Sequence, residues 1–395
     1  ANVMFKTLPT TVDVISGKVS INDLREVSIE DLLGRDPVSL DWEAIRQGIS
    51  GNRVLVTGGG GSIGSELCRQ ICALKPEALT IFDQSEFNLF IIENELKERF
   101  SGLVLNARLG DDVCDTVAVE HLMDIAKPNI VFHAAAYKHV PMLEDQVREA
   151  AHNNIIGTSN VVSASIQHNV EEFVLISTDK AVNPTNIMGS SKRIAEMLCQ
   201  KTLNDVSTKF ITVRFGNVLN SAGSVVPIFR EQIASGGPVT VTHEEITRYF
   251  MTIPEACQLI MQAGVIGQGG EIFVLDMGEP VKIKYLAEQM IILSGKEPGV
   301  DIEIQYMGLR PGEKLFEELF HENEALTPTV HEKIRLANSR DFDSRELDEV
   351  VDQIREAAQR YDEMTIRQAI EMLVPEYHSG NDEIRSAAAI LNKAG

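Results

Sequence analysis

The 395 residues of this chain are enough to bury a large core, and this length predicts two domains rather than one. A hydrophobic content of 44% and a charged content of 24% are those of an ordinary soluble globular protein. The formal net charge of −22 excludes nucleic acid or an anionic lipid surface as a general partner. An anionic ligand would therefore require a local cluster of Arg or Lys.

Two further features of the composition narrow the class of protein. The five cysteines are odd in number and lack metal-ligand spacing, which predicts reduced thiols in a cytoplasmic compartment and no metal site. No run of 18 apolar residues and no signal peptide is present, so the sequence predicts a soluble chain. A start at Ala1 rather than Met is typical of a fragment or a processed chain.

In chain order, residues 1–50 show no strong periodicity and are interpreted as an arm or linker, with one short helix expected at 28–33. From residue 53 onward, apolar runs alternate with helix-length segments such as 86–99 and 147–168. Buried strands that alternate with helices predict an α/β fold, a doubly wound parallel Rossmann sheet. The predicted strands are Val54–Val56, Leu79–Phe82, Val104–Leu105, Ile130–Phe132, Phe173–Ile176, Phe210–Val213 and Ile272–Leu275.

The alternation of apolar strands and helix-length segments becomes less regular after Arg214. Segments rich in Gly, Ser and Pro there predict a smaller, C-terminal second domain. The sequence thus predicts the sheet domain at 51–216 plus 243–276 and the smaller domain at 217–242 plus 277–340. Residues 341–395 are expected to form a structural helical tail, which begins at a capping box over Asp343 to Glu346.

The first predicted strand runs directly into a glycine-rich turn. Glycines at three-residue spacing allow a tight turn, a close approach of the backbone to a pyrophosphate and close packing of helix on strand. The N-terminus of the following helix offers amide N–H groups to phosphates. This turn supplies the predicted dinucleotide-binding residues Gly58, Gly61, Ser62, Ile63 and Gly64.

Three later strand ends extend the same predicted cofactor site. Asp83 ends the second strand, where a carboxylate accepts hydrogen bonds from ribose hydroxyls and repels a 2′-phosphate, so NAD is favoured over NADP. Asp111 follows the third strand and is placed to meet the adenine amine. Ala134 and Ala135 follow the fourth strand, after His133, and their small side chains let a flat ring approach the backbone.

The stretch that follows Ile176 carries the predicted chemistry. Thr178, Asp179 and Lys180 stand together where a buried strand ends, and a second amine, Lys192, follows in the next helix. The carboxyl ends of strands are where ligands bind in open α/β sheets. An acid and an amine at this position can divide acid and base roles if the site separates their pKa values.

Several motifs together carry a family resemblance: the glycine-rich turn from Thr57, the alanines after His133, Asn154-x-x-Gly157-Thr158 and the lysine at 192. They resemble the extended short-chain dehydrogenases/reductases. The match narrows to the nucleotide-sugar 4,6-dehydratases of bacterial polysaccharide and glycan biosynthesis, and it is nearest to the UDP-N-acetylglucosamine 4,6-dehydratases. It spans residues 31–334 and rests on Ser177–Pro184, Arg214–Val218, Gly223–Pro227, Thr247–Met251 and Arg310–Lys314.

The resemblance implies a lyase with a tightly held NAD, which oxidises sugar C4, eliminates water across C5 and C6 and returns hydride to C6. It assigns dehydration to Thr178, Asp179 and Lys180, with Asp179 as the acid toward the C6 hydroxyl and Lys180 as the base at C5. Lys192 and Asn154 would bind the cofactor. The predicted residues for the UDP-sugar, which the smaller domain would bind, are Lys138, Asn217, Ser221, Val225, Arg248, Arg310 and Glu313.

The sequence departs from the superfamily at Met188, where a tyrosine would accept the proton of the sugar alcohol. A thioether cannot act as a base, so this proton must leave through Asp179, through water or by relay to Lys192. The substitution is characteristic of larger members of the group that carry an N-terminal membrane portion. By resemblance, the full-length protein is expected to be a homo-oligomer anchored at the cytoplasmic face of the bacterial inner membrane.

Two other functions use the same cofactor fold. A nucleotide-sugar 4-epimerase needs the tyrosine and has no use for an Asp–Lys pair. A non-catalytic NAD-binding sensor tolerates Met188 but has no reason to keep Asp179 and Lys180 together.

Overall fold

The computed structural model describes residues 6–7, 25–26, 29, 38–110, 113–201, 207–322, 324–338 and 340–378. The chain divides into two compact units. The first comprises residues 1–37, 217–252 and 278–309, and the second comprises residues 38–216, 253–277 and 310–395. Within the described ranges, no helix combines the length and the apolar character that a membrane crossing requires.

The second unit is built on one nine-stranded sheet, in which seven strands are parallel. Most of these are runs of buried apolar residues, as expected for strands covered on both faces. The nine strands are labelled in chain order: β1 (Arg53–Thr57), β2 (Ala78–Asp83), β3 (Val104–Leu109), β4 (Ile130–His133), β5 (Glu172–Ile176), β6 (Lys209–Arg214), β7 (Ile272–Leu275), β8 (Leu326–Pro328) and β9 (Ile334–Ala337).

The spatial order of the strands is β8-β9-β7-β6-β5-β4-β1-β2-β3. The order reverses beside β1, whose residue Thr57 is paired with Phe82 of β2 on one side and with His133 of β4 on the other. In such sheets the crevice outside this reversal is where ligands bind. The predicted doubly wound parallel sheet is confirmed, and all seven predicted strands are present in it.

The helices of this unit fall into two packing groups. Helix Ser62–Ala73 contacts Ile253–Ile266, which also contacts Trp42–Ile49, whereas Ile187–Gln200 contacts Thr158–Gln167 and the C-terminal helices. The helices are Trp42–Ile49, Ser62–Ala73, Glu86–Arg99, Thr116–Ala126, Val140–Asp145, Val147–Ala150, the π-helix Ala151–Gly157, Thr158–Gln167, the short 3₁₀ turn Asp179–Ala181, Ile187–Gln200, Ile253–Ile266, Ser344–Gln359 and Glu363–Leu373.

Three predicted domain boundaries differ from the observed units. Residues 310–340 belong to the sheet unit, because β9 pairs antiparallel with β7 and β8 pairs with β9. Residues 243–252 belong to the first unit, because Phe250 and Met251 pair with Asn217 and Val218. Residues 38–50 are part of the sheet unit, where the Asp41 amide donates a hydrogen bond to Gln262 Oε1 at 2.9 Å.

The predicted C-terminal tail is likewise part of the second unit. Asp343 caps its first helix by accepting hydrogen bonds from the amides of Arg345 and Glu346, as the sequence indicated. The two C-terminal helices then bury Leu347, Ile354 and other apolar residues in one cluster with helix Ile187–Gln200. Of the helix expected at 28–33, only Ile29 is among the described residues, and the residues beyond 378 lie outside them.

The described residues of the first unit form short strand pairs and two α-helices. Its paired strands are Lys6–Thr7 with Arg25–Glu26, Asn217–Val218 with Phe250–Met251, Val239–Val241 with Ile304–Tyr306, and Thr247–Arg248 with Val281–Lys282. Its helices are Val225–Ala234 and Ile283–Leu293.

Candidate active site

A cleft of about 220 Å³ opens at the carboxyl ends of β1, β2 and β4. Five predicted cofactor residues line it together, although they come from three separate strand ends. These are Gly58, Gly61, Asp83, Ala134 and Ala135. The cleft therefore lies at the strand-order reversal where the sequence placed a dinucleotide.

The glycines of the turn are required by close backbone packing. Gly58 has φ +67°, and a Cβ at this position would lie 2.6 Å from the Ala135 nitrogen. A Cβ on Gly64 would collide with the Gly58 carbonyl oxygen. Gly61 precedes helix Ser62–Ala73, whose N-terminus receives no side-chain cap from any described residue. The turn thus presents backbone, without side chains, to one wall of the cleft.

Asp83 ties the ends of β1 and β2 together. Its Oδ2 accepts a hydrogen bond from the Gly60 amide at 2.8 Å, and its Oδ1 accepts one from the Ser85 amide at 2.8 Å. A carboxylate has about four acceptor positions, so these two bonds leave capacity for a further donor. The carboxylate is thereby held rigidly in the lining of the cleft.

A buried polar network supports the floor of the site below β4. His133 Nδ1 lies 2.7 Å from Thr57 Oγ1, and His133 Nε2 lies 3.0 Å from Thr158 Oγ1. Thr158 donates its hydroxyl proton to the Asn154 carbonyl at 2.7 Å, so it accepts from Nε2–H, and Nδ1 accepts from Thr57. Burial, and next the charge of Lys192, lower the pKa of His133 to about 3, so this histidine is a neutral structural residue.

Asn154 lies in the π-helix Ala151–Gly157, an element that is frequent at functional sites. Its Oδ1 accepts hydrogen bonds from the backbone amide of Tyr137 and from Asn153 Nδ2. Its Nδ2 donates hydrogen bonds to the Tyr137 carbonyl and to Ser191 Oγ. Asn154 thereby fixes the backbone of Tyr137, which also lines the cleft. A direct contact of Asn154 with a cofactor stays a prediction.

The end of β5 brings the predicted acid and amine into contact. Thr178 precedes the 3₁₀ turn Asp179–Ala181, and its hydroxyl donates a hydrogen bond to Asp179 Oδ1 at 2.9 Å. Lys180 Nζ donates to the same oxygen at 3.0 Å. Asp179 is only 1% exposed, and its Oδ2 has no hydrogen-bond partner among the described residues. The turn therefore holds a buried carboxyl group with one oxygen engaged and one available.

The electrostatics of this turn shift the pKa of Asp179 upward from its ordinary value. Burial raises the pKa of Asp179, and the nearby charge of Glu317 raises this pKa further, whereas Lys180 lowers it. The net direction is upward, as an acid that donates a proton near neutral pH requires.

Helix Ile187–Gln200 carries Met188 and Lys192 one turn apart. Met188 is 3% exposed and belongs to an apolar cluster with residues such as Leu143 and Ile187. Burial lowers the pKa of Lys192 to about 8. The helix thus provides a packed thioether and a buried amine whose proton is easily lost.

The predicted substrate residues of the second unit form a basic group. The pKa of His139 is lowered by partial burial and then by the positive charges of Lys138 and Arg310, so these three side chains share one neighbourhood. Glu313 makes an ion pair with Arg310, with Arg310 Nη2 3.3 Å from Glu313 Oε1. Lys138 and Arg310 are thus the two cationic side chains near His139, and Arg310 is paired with Glu313.

The other predicted substrate residues lie in the first unit. Asn217 sits in a short parallel strand pair, Ser221 is buried, and Val225 begins helix Val225–Ala234. Arg248 is buried and donates a hydrogen bond to the Thr247 carbonyl at 2.7 Å. Their role in binding stays a prediction, and the predicted contact of Asp111 lies outside the described residues.

Sequence reasoning missed Glu317, a buried acid whose carboxylate lies 3.4 Å from Lys180 Nζ. The sequence signal is ambiguous, because Glu317 and Glu318 are adjacent between apolar residues and only one of them is buried. No group of three His, Cys, Asp or Glu side chains in the described ranges could hold a metal ion.

Comparison with known proteins identifies the family. A model described as "Polysaccharide biosynthesis protein" matches residues 54–339. The chain belongs to this family. The chain is 49% identical to the capsular polysaccharide biosynthesis protein CapD of Staphylococcus aureus, over 89% of this chain and 58% of CapD. It therefore spans little more than half the length of this relative.

Other similar proteins include an epimerase and two proteins of known structure. The chain is 34% identical to a UDP-glucose 4-epimerase of Rickettsia canadensis, over 67% of this chain and 76% of the epimerase. Among solved structures, Pen from Bacillus thuringiensis is 34% identical, with a TM-score of 0.68 over 74% of this chain and 90% of Pen. The dTDP-glucose 4,6-dehydratase DesIV from Streptomyces venezuelae, with NAD bound, is 18% identical with a TM-score of 0.60 over 68% of this chain and 88% of DesIV, a likeness of fold alone.

Proposed function

We propose that this chain catalyses the NAD-dependent loss of water from UDP-N-acetylglucosamine, giving the UDP-4-keto-6-deoxy sugar for bacterial polysaccharide or glycan biosynthesis. The observation that carries the proposal is the Asp179–Lys180 pair at the end of β5. Asp179 is buried, its pKa is raised, and its Oδ2 is free of partners within the described part of the chain. A carboxyl group in this state is suited to donate a proton to a leaving hydroxyl.

The cleft supports NAD as the cofactor. When bound, NAD would supply reversible hydride transfer, which the reaction requires at sugar C4 and then at C6. In this chain, the glycine turn would accept the pyrophosphate against backbone, and Asp83 would accept hydrogen bonds from the ribose hydroxyls and repel a 2′-phosphate. DesIV, which shares the fold, was solved with NAD bound, and this agrees with the assignment.

Three residues of the β5 turn divide the elimination step. Asp179 donates a proton to the departing C6 hydroxyl, so that water leaves rather than hydroxide. Lys180, as the neutral amine, accepts the C5 proton, whose acidity rises once C4 is a ketone. Thr178, whose hydroxyl donates a hydrogen bond to Asp179 Oδ1, orients the acid and is proposed to hydrogen-bond the C4 oxygen of the sugar. The two roles are compatible because acid and base are different groups with different environments.

The first deprotonation, at the C4 hydroxyl, falls to Lys192 in this proposal. Met188 occupies the position of the superfamily tyrosine and is packed among apolar side chains, so it supplies volume only. Lys192 is one helical turn further on and is buried, and its pKa, lowered by burial to about 8, suits it to accept a proton. A water relay would carry the proton to it.

The basic group around Lys138, His139 and Arg310 supports an anionic substrate such as a nucleotide diphosphate, because Arg and Lys match phosphate oxygens. Arg248, Asn217, Ser221 and Val225 are proposed as further substrate contacts, on the resemblance alone. Membrane anchoring of the full-length protein, its cytoplasmic orientation and homo-oligomer formation likewise stay predictions of the resemblance.

The test is incubation of the protein with UDP-N-acetylglucosamine, followed by mass spectrometry of the sugar nucleotide. We expect loss of one water per molecule. Asp179→Asn should stop water loss while leaving NAD content nearly intact, and Lys180→Ala should in addition suppress exchange of the C5 proton in deuterated solvent. Undiminished turnover in either variant would refute the role assigned to that residue.

The same experiment separates the proposal from its main alternative, a 4-epimerase, which the 34% identity to a UDP-glucose 4-epimerase favours. An epimerase leaves the mass unchanged and alters only the configuration at C4, which chromatography against the two epimers detects. A non-catalytic NAD-binding protein leaves the sugar unaltered in both mass and configuration.

A further inference from the structure

Lys180 lies between two buried carboxylates that come from distant parts of the chain. Its Nζ is 3.0 Å from Asp179 Oδ1 and 3.4 Å from Glu317 Oε1. The Glu317 side chain is 4% exposed. An ion pair this well shielded from water is screened much less than a surface pair.

The loop that carries Glu317 is fastened directly to the turn that follows Lys180. The Gly312 carbonyl accepts hydrogen bonds from Thr185 Oγ1 at 3.1 Å and from Asn186 Nδ2 at 3.0 Å. Gly312 has φ +74°, and a Cβ there would lie 2.7 Å from Asn186 Cβ, so only glycine fits this contact. Lys314 Nζ adds a hydrogen bond to the Val182 carbonyl at 3.3 Å. These contacts fix the position of Glu317 relative to Lys180.

The charges of the three groups decide where a proton resides. With both carboxylates ionised, Asp179, Lys180 and Glu317 would carry a net charge of −1 in a buried site, and one proton on a carboxyl group makes the site neutral. Both acids contact the ammonium, but Asp179 is the more deeply buried of the two and its Oδ2 has no partner among the described residues, so this oxygen is where we place the proton. The other charged groups of the loop also form ion pairs, Lys314 with Glu318 at 3.0 Å and Arg310 with Glu313 at 3.3 Å.

We propose that Glu317 is a positioning residue of the reaction centre: it serves as the counter-ion of Lys180, so that Asp179 remains a carboxylic acid. This inference rests on the proposed dehydration. Proton transfer from Lys180 Nζ to Glu317 along their contact then gives a neutral amine and a protonated Glu317. The site keeps its number of protons and its zero charge, and it holds an acid, Asp179, and a base, Lys180, at the same time.

The test compares Glu317→Gln with the matched control Glu322→Gln, which makes the same chemical change at an exposed position of the same segment. The infrared C=O band of protonated Asp179, assigned by its absence in Asp179→Asn, is titrated in the resting protein. Removal of the Glu317 charge should lower the pH at which this band disappears by about 1 unit or more, because neighbouring like charges shift a carboxyl pKa by this order. Glu322→Gln should leave the titration unchanged, and Glu317→Asp should restore it in part.

The dehydration assay gives a second readout of the same change. The alkaline limb of the kcat/KM profile, where the acid loses its proton, should move to lower pH in Glu317→Gln by the same amount. If Glu317→Gln changes neither the pH at which the infrared band disappears nor the pH of the alkaline limb, the proposal is overturned. If the wild-type protein does not dehydrate the sugar, the proposed function fails, but the titration of the resting protein still decides the role of Glu317.

Lys180→Met provides an independent check should glutamine at position 317 prevent folding. Without the ammonium, the Glu317 charge acts on Asp179 uncompensated, so the Asp179 band should persist to higher pH than in the wild type. A band that disappears at the same or lower pH would contradict the arrangement.

Discussion

Met188 shows how a single side chain constrains the chemistry of the site. It stands at the start of helix Ile187–Gln200, is 3% exposed and packs in an apolar cluster with residues such as Leu143 and Ile194. A thioether in this environment neither accepts nor donates a proton. Its contribution is volume, and volume is supplied equally well by another unbranched or γ-branched apolar residue.

Met188→Leu is therefore expected to retain activity. Such a near volume-conserving exchange usually costs less than about 1.5 kcal/mol of stability. Loss of a general base would instead reduce the rate on the order of 10²–10⁴-fold. Steady-state rates, with NAD content and far-ultraviolet circular dichroism as controls, distinguish the two outcomes. A collapse of activity in a folded, NAD-loaded Met188→Leu protein would show that the sulfur has a chemical role.

At the scale of secondary-structure elements, buried charges join β6 to the helix behind the active site. Arg214 of β6 donates to both carboxylate oxygens of Glu196 at 2.7 Å and to Glu324 Oε2 at 2.6 Å. Ser177, the residue before Thr178, donates to Glu196 Oε1 at 2.7 Å. Burial opposes the charge of Glu196, but the charge and hydrogen bonds of Arg214 hold its pKa at about 2. The network thus anchors the start of the reactive turn.

Arg214→Met is expected to destabilise the protein strongly, because it removes the guanidinium that two buried carboxylates share and leaves Glu196 with Arg193 alone and Glu324 with Arg340 alone. Breaking a buried pair in this way typically costs about 3–5 kcal/mol. Arg335→Met, an exposed arginine in β9, is the matched control and should change stability by less than about 0.5 kcal/mol. The measurement is urea unfolding followed by circular dichroism. Equal midpoints for the two variants would mean that the buried network contributes nothing to stability.

At the scale of the second unit, the C-terminal helices are part of one cooperative core. Ile354 is fully buried in the cluster that also contains Met188 and Ile194 of the active-site helix. The helical segment after residue 340 therefore shares its packing with the helix that carries Met188 and Lys192. A mutation far from the cleft should be felt by the entire unit.

Ile354→Ala tests this cooperativity, since a core truncation of this kind costs about 2–5 kcal/mol. The single tryptophan, Trp42, lies in the first helix of the unit and is 44% exposed, so its fluorescence reports on the opposite end of the chain. In Ile354→Ala, we expect the urea midpoint measured by Trp42 fluorescence to fall by the same amount as the midpoint measured by circular dichroism. Met364→Ala, at a position that is 71% exposed, should leave both unchanged. A Trp42 midpoint that stays constant in Ile354→Ala would identify the C-terminal helices as a separate folding unit.

The parts of the fold that sequence predicts are those with local signals. Strands β1 and β4 to β7 are uninterrupted apolar runs, and the capped helix at Ser344 begins at a recognisable Asp343. Strand β9 reads Ile-Arg-Leu-Ala, half exposed, and β8 ends in a proline, so neither has the pattern of a buried strand. Their place in the sheet depends on pairing with β7, which no local pattern reveals.

The candidate site likewise contains residues that the sequence predicts and one that it does not. The glycine turn and the Thr178 to Lys180 sequence were predictable because backbone geometry and strand-end position constrain the residue types there. Glu317 was not, because its proximity to Lys180 arises from a contact between distant parts of the chain and from burial that its neighbour Glu318 does not share. Charge and hydrophobic pattern alone cannot distinguish two adjacent glutamates.

The fastening of Gly312 to Thr185 and Asn186 has a consequence for biosynthesis on the ribosome. The hydrogen bonds join positions 127 and 126 residues apart, so the partner of the reactive turn is made well after the turn itself. At about 5–20 residues per second, this interval lasts several seconds or more. During this interval, Asp179 and Lys180 have been synthesised but Glu317 has not. In a nascent chain, the contact between Lys180 and Glu317 therefore cannot form until the segment that contains Gly312 and Glu317 has left the ribosome.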